Sequence, residues 1–178
     1  IDHIETEKIK CVLQFVDKLL FVRRDIKEIS IPLNIKIIES YSFHSSKIEE
    51  IFIPQSVTKI CEGVFSNCKN LRKVEIPENS NLQTIEKYAF LYSNIEEINF
   101  PEKLIELKEG WCKYTEKLKR IIISPSNSQF IFKEDKYLIG KSNQNNDEFD
   151  KLLFVRRNIK KISIPLNIKI IESYSFHS

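Results

Sequence analysis

Ile51-Phe52-Ile53-Pro54-Gln55-Ser56-Val57-Thr58-Lys59-Ile60, followed by Val64-Phe65-Ser66-Asn67-Cys68 and Leu71, is the stretch whose reading decides the fold. The opening alternation turns Ile51 and Ile53 to one side and Phe52 to the other, as in a strand. Pro54 has no N–H to donate and ends the ladder where the chain must turn. The same apolar-x-apolar-Pro element recurs at Ile29-Ser30-Ile31-Pro32, Val74-Glu75-Ile76-Pro77, Ile98-Asn99-Phe100-Pro101 and Ile162-Ser163-Ile164-Pro165, and with one added residue at Ile121-Ile122-Ile123-Ser124-Pro125. Successive starts lie 22, 23, 24, 23 and 41 residues apart, so the last gap holds one period and an insertion.

Every copy carries the same grammar. An apolar-x-x-apolar step such as Val57 to Ile60 or Leu82 to Ile85 is followed five residues on by an aromatic: Phe43, Phe65, Phe90 or Phe176. A further apolar residue, Ile48, Leu71, Ile95 or Leu118, leads into the next strand. The period falls in the leucine-rich-repeat range, where one coil cannot bury its own apolar face and stacking does it instead. The spacing predicts one inward Phe ladder and a parallel sheet built from all six Ile-x-Ile segments. With only three glycines, Pro is expected to supply the turn punctuation.

The grammar Leu-x-x-Ile-x-Ile-Pro-x-x-Val-x-x-Ile-x-x-x-Ala-Phe-x-x-Cys, matched by Ile51 to Leu71 and by Tyr88-Ala89-Phe90, resembles the BspA-like leucine-rich repeats. The resemblance covers residues 26–125 and 159–178. The segment from Asn127 through Tyr137-Leu138-Ile139 to Lys151-Leu152-Leu153-Phe154-Val155 resembles the insertion that interrupts such arrays, with Gly140 to Asp150 as a polar loop. The expected fold is a β-rich α/β solenoid: a parallel sheet on one face, short turns or helical segments opposite, and a β-hairpin-like insertion. The expected organisation is one solenoid over 1–178, divided into the tail of an insertion (1–25), consecutive repeats (26–125), an insertion (126–155) and a final partial repeat (156–178).

Lys18 to Ser45 recurs as Lys151 to Ser178 with two changes, Asp25→Asn158 and Glu28→Lys161. So near a copy implies a larger duplicated unit of 133 residues. With no Met and no signal-like start, the sequence reads as an internal stretch of a long array.

Composition narrows the function classes. Hydrophobic residues at 42% and charged residues at 30% are globular proportions. A net charge of +3, with both signs interleaved, argues against a nucleic-acid or membrane-surface partner. No apolar run approaches a membrane span, and no Asn-x-Ser/Thr acceptor occurs. The four cysteines, Cys11, Cys61, Cys68 and Cys112, form no CxxC pair, so neither metal nor cofactor is expected.

Candidate chemistry reads as structure. His44-Ser45 and His177-Ser178 are one repeat position seen twice, and adjacency does not create nucleophile–base geometry. Glu49-Glu50 and Glu96-Glu97 precede strands and read as solvated charge. By the resemblance Cys68 is interior, whereas Cys61, aligned with Glu39, Glu86 and Lys108, is expected to face solvent. Trp111 is read as filling the volume left where Cys112 replaces a ladder Phe, the alternative being an exposed anchor. Arg23-Arg24 and Arg156-Arg157 are expected at solvated or hairpin-edge positions.

No enzymatic activity is expected; an enzyme would need a catalytic domain outside this stretch. A solenoid offers an extended face on which one residue per coil can vary without touching the core. Strand alternation assigns that face to two outward columns: Ser30, Phe52, Glu75, Asn99, Ile122 and Ser163, and Glu28, Glu50, Lys73, Glu97, Arg120 and Lys161; the alternative site is the inserted hairpin near residues 126–155. The expected partner is a protein, with end-to-end self-association at the uncovered last coil. The resemblance implies a secreted or cell-surface adhesion or antigen module binding host-cell or matrix proteins; the alternative is a cytoplasmic scaffold or regulatory subunit.

Overall fold

The computed structural model describes residues 17–145, 147–157 and 159–176. Residues 1–16 of the expected insertion tail, Cys11 among them, and the His177-Ser178 pair lie outside the described residues.

The chain winds as a parallel-strand β-solenoid with two ladders. The Ile-x-Ile segments give β3 (Glu50–Phe52), β5 (Lys73–Glu75), β7 (Glu97–Phe100) and β9 (Arg120–Ile123), stacked in that order. Two-residue strands β1 (Lys18–Leu19), β2 (Ile37–Ile38), β4 (Lys59–Ile60), β6 (Thr84–Ile85) and β8 (Glu106–Leu107) form the second sheet. Of the short turns or helical segments expected opposite the first sheet, the helical alternative and the α/β description are not borne out: no helix occurs among the described residues, and a second sheet stands there. The apolar-x-x-apolar step is too short for a helical turn to develop, and the β-branched Ile at its end suits a ladder. Ile29–Ile31 and Ile162–Ile164 form no strand, so four of the six expected segments pair in the first sheet. Both lie in the outermost described coils.

Between the sheets the apolar rows close the core. Ile51, Val74, Ile98 and Ile121 point inward from the first sheet, and Ile38, Ile60, Ile85 and Leu107 from the second, all buried. Phe43, Phe65 and Phe90 are fully buried, with ring centroids 5.2 and 5.3 Å apart. The expected Phe ladder stops there. Trp111, 2% exposed, meets Phe90 edge-on at 6.1 Å and redirects the aromatic row through Phe100 to Phe130. Trp111 fills interior volume, as expected, and is no exposed anchor. Phe176, the fourth expected member, is 48% exposed.

Glycine-poor turns around each ladder Phe are made by left-handed residues of other types, which corrects the role given to Pro alone. Tyr41, Ser45, Asn67, Tyr88, Tyr92, Tyr114 and Tyr174 all have φ between 56° and 69°. Each such residue costs about 1 kcal/mol. Hydrogen bonds offset it: Tyr41, Phe43 and Ser45 donate their N–H to Glu62, Val64 and Ser66 of the next coil, while Ser42, His44 and Ser46 donate back within their own turn. Two residues before the ladder position the sequence reads Tyr41, Gly63, Tyr88, Gly110, Tyr174, an alternation with a steric cause. Gly63 has φ +61°, and a Cβ there would lie 2.3 Å from Cε1 of Tyr41. Gly63→Ala is expected to cost about 1–2 kcal/mol, with Tyr41→Ala in the same chain recovering the steric part; paired thermal melts check both.

The insertion is a hairpin, β10 (Phe130–Lys133) and β11 (Tyr137–Gly140), followed by β12 (Lys151–Val155), which pairs with β13 (Ile170–Ile171) of the last coil. Glu134 and Asp135 both take positive φ at the hairpin turn, as a primed turn requires. The Gly140–Asp150 loop is tied at its base, where the Asp150 carboxylate accepts from the N–H and hydroxyl of Ser142 at 2.9 and 2.8 Å. Register is preserved across the duplication: Lys18 faces Ile37 as Lys151 faces Ile170. Surroundings are not. Ile38 and Phe43 are fully buried under the next coil, whereas their copies Ile171 and Phe176 are about half exposed. End-to-end association at this surface is expected to make the mass in sedimentation equilibrium rise with concentration, and Phe176→Lys to suppress the rise. A concentration-independent monomer mass would contradict it.

Candidate protein-binding face

The first sheet sets Glu50, Lys73, Glu97 and Arg120 in one hydrogen-bonded row, with Phe52 beside Glu75 and Asn99 beside Ile122 in the next. Eight of the twelve residues in the outward columns thus share one ladder. Glu28, Ser30, Lys161 and Ser163 are exposed but lie in the end coils, outside the sheet. Lys161 and Ser163 are further separated from β9 by the insertion.

Much of the charge on this face is paired within it. Arg120 Nη1 lies 3.2 Å from Glu97 and Lys73 Nζ lies 3.0 Å from Glu75. The Glu75 carboxylate raises the Lys73 ammonium above its usual range. Such exposed pairs add little stability, about 0–1 kcal/mol, but they hold the centre of the face in a fixed pattern. Two large apolar side chains stand out: Phe52 at 48% exposure on the first strand and Ile122 at 39% on the last. Three strand spacings separate them, roughly 14 Å. A shallow depression of about 220 Å³ beside Ile122 is lined by Glu78, Asn99, Phe100 and Pro125.

Asn99 does a different job from the one its column suggests. Its Oδ1 accepts from the N–H of Ile76 at 3.1 Å, and its Nδ2 donates to the Ile76 carbonyl. Its amide completes the ladder past the last paired residues of β5, so Asn99 is half-buried and partnered within the chain.

The remaining candidates resolve into structural roles. His44 Nδ1 lies 2.5 Å from Ser66 Oγ, whose hydroxyl donates to the Gly63 carbonyl, so the imidazole donates into a turn. Burial, with Arg24 nearby, lowers the His44 pKa. Glu49, Glu50 and Glu96 are exposed and Glu97 pairs with Arg120. Cys68 is fully buried, and its thiol donates to the Phe43 carbonyl at 3.1 Å. Cys61, expected at the surface, is 8% exposed. It is short and sits between the longer Glu39 and Glu86, which ion pairs with Lys18 and Lys59 hold in place; burial raises its thiol pKa. Arg23 is solvated, but Arg157, expected at a solvated or hairpin-edge position, is buried. No cluster of metal-ligating side chains occurs among the described residues, and no helix there is long and apolar enough to cross a membrane.

The sequence reading passed over a tyrosine-rich strip on the turn face. Tyr92 and Tyr114 stack at 4.4 Å, and Lys113 sits 3.8 Å from the ring centroid of Tyr174. Tyr41 and Tyr92 are 47% and 39% exposed. The Tyr/Gly alternation was the signal that would have found part of it.

Comparison with known proteins agrees with this architecture. No curated protein matches the sequence. Among solved structures, the pneumococcal vaccine antigen PcpA superposes with a TM-score of 0.72 at 26% identity, over 80% of this chain and 34% of that one. A leucine-rich cell surface protein of Faecalibacterium prausnitzii gives 0.62 at 20% identity, over 76% of this chain and 40% of its own. A leucine-rich repeat protein of Eubacterium ventriosum gives 0.63 at 20% identity, over 85% and 45%. The chain therefore spans less than half the length of each. The family model described as the BspA-type leucine-rich repeat region matches in six copies, over residues 14–138 and 128–178. With the whole described solenoid inside that match, the chain belongs to the BspA-type leucine-rich repeat family.

Proposed function

We propose that this chain is a non-enzymatic protein-binding module of the adhesion or surface-antigen kind, and that the outward face of β3, β5, β7 and β9 makes the contact. The observation that carries the reading is Phe52 and Ile122, both large, apolar and exposed, standing on a ladder whose inward rows are buried. A rigid sheet loses little entropy on binding, and an apolar anchor flanked by satisfied charges suits a protein interface. The likeness to a vaccine antigen, at 26% identity, supports a place on a cell surface or in the extracellular space. A cytoplasmic scaffold using the same face is the second reading, favoured by the free thiols of Cys61, Cys68 and Cys112.

The test is binding of the full chain to a panel of immobilised extracellular-matrix proteins. Phe52→Ala with Arg120→Ala is expected to weaken the tightest interaction at least about tenfold while shifting Tm by no more than about 3 °C. Full affinity in that variant would remove the sheet face as the site. Binding to cytosolic proteins alone would favour the scaffold reading.

A further inference from the structure

The duplicated segment places one arginine in two settings. Arg24 and Arg157 each donate Nη1 into the turn of their own coil, Arg24 to the carbonyls of Tyr41 and Ser42 at 3.3 Å, Arg157 to those of Val155 and Ser175 at 3.2 Å. Each also lies over the aromatic ring three residues before it, Phe21 or Phe154. Arg24 is half-buried over an exposed ring. Arg157 is only 8% exposed, over a ring that is itself buried. Its Nε and Nη2 are buried and have no hydrogen-bond partner among the described residues. Those two N–H groups form the side-on fork of a guanidinium, which matches a planar carboxylate. The chain supplies an example: Arg23 holds Asp25 through Nε and Nη2, at 3.0 and 2.6 Å.

Arg157 lines a cleft of about 480 Å³ with Glu116, Lys117, Arg156, Ile159 and Phe176. Both changes between the two copies of the duplicated sequence shift its charge in one direction: Asp25→Asn158 removes a negative charge and Glu28→Lys161 replaces a negative charge by a positive one. We propose that this cleft is a binding site for an acidic side chain of a peptide, its carboxylate held side-on by Nε and Nη2 of Arg157 and its apolar neighbours seated on Ile159 and Phe176. A carboxylate fits better than a phosphoryl dianion, because Glu116 at the cleft repels the second charge. Burial works against the Arg157 charge, and a bound monoanion would offset that cost. The fork lies beneath the cleft surface, so binding turns it outward. The end coil, with Phe176 half exposed, is where such a shift meets least resistance. The site is independent of the sheet-face reading and stands or falls without it.

The experiment follows the Arg157 Nε–Hε signal in nitrogen-15 spectra of the full chain. Acetyl-Leu-Glu-Ile-amide is expected to shift it saturably below about 10 mM, and acetyl-Leu-Gln-Ile-amide and sodium chloride are expected not to. No saturable shift, or an equal shift with the Gln peptide or chloride, overturns the site. Tighter binding of inorganic phosphate overturns the carboxylate assignment. Arg157→Lys keeps the charge without the fork and is expected to weaken the peptide at least about tenfold, whereas Arg24→Lys, the same change in the other copy, is expected to leave binding intact. Equal loss in both variants would also overturn the proposal. Should Arg157→Lys fail to fold, the wild-type signal decides alone.

Discussion

Phe65→Ala is expected to lower the unfolding free energy by about 3–5 kcal/mol, because a fully buried ring is lost and the site has little room to collapse. Phe65 lies between Phe43 and Phe90, so truncation opens a void against both neighbouring coils. In a solenoid, stability is close to a sum of nearest-neighbour terms, and two of them weaken together. For a chain of this size the loss corresponds to a fall in Tm of roughly 10 °C. Phe176→Ala, the same substitution at the same repeat position, is expected to cost less than about 1 kcal/mol, since Phe176 is already half exposed. The pair of melts isolates stacking from residue identity. A Phe65→Ala melt that coincides with wild type would refute the register.

Asn99→Ala is expected to cost roughly 2–3 kcal/mol, more than an outward polar position would suggest. The substitution strips partners from both the N–H and the carbonyl of Ile76, groups that face the sheet at the point where β5 stops pairing with β7. Because the amide bonds within the chain, affinity for a protein bound at Phe52 should change far less than stability. Denaturant unfolding beside binding measurements checks both halves. A stable variant with lost affinity would return Asn99 to the contact surface.

These two residues mark how far the sequence could be read. Phe65 was legible because a solenoid repeats its inward rows at a fixed period, and burial at Ile51, Val74, Ile98 and Ile121 follows from alternation alone. Asn99 was not, since alternation gives the direction of a side chain and not the backbone groups it reaches. Cys61 followed the same limit: its column is polar, but a short side chain between the longer, ion-paired Glu39 and Glu86 ends up covered. Short turns or helical segments were both expected opposite the sheet, because the three-residue step from Val57 to Ile60 does not by itself separate them. Phe176 and Arg157 show that a repeated sequence does not repeat its environment. What stacks on a coil decides what it buries, and Lys151 to Ser178 meets different neighbours from Lys18 to Ser45. For the candidate site, the columns could be read off the strands, whereas the breaks at Ser30 and Ser163 depend on end coils and on the position of the insertion.

The central claim is that the outward sheet face makes the protein contact. Photo-crosslinking tests it most directly, with benzoylphenylalanine placed in separate full-length chains in place of Phe52, Ile122 or Asn143, the last in the insertion loop. Each is irradiated with the matrix protein that binds most tightly. The account predicts crosslinks from positions 52 and 122 and none from 143; a crosslink from 143 alone would move the binding site to the insertion.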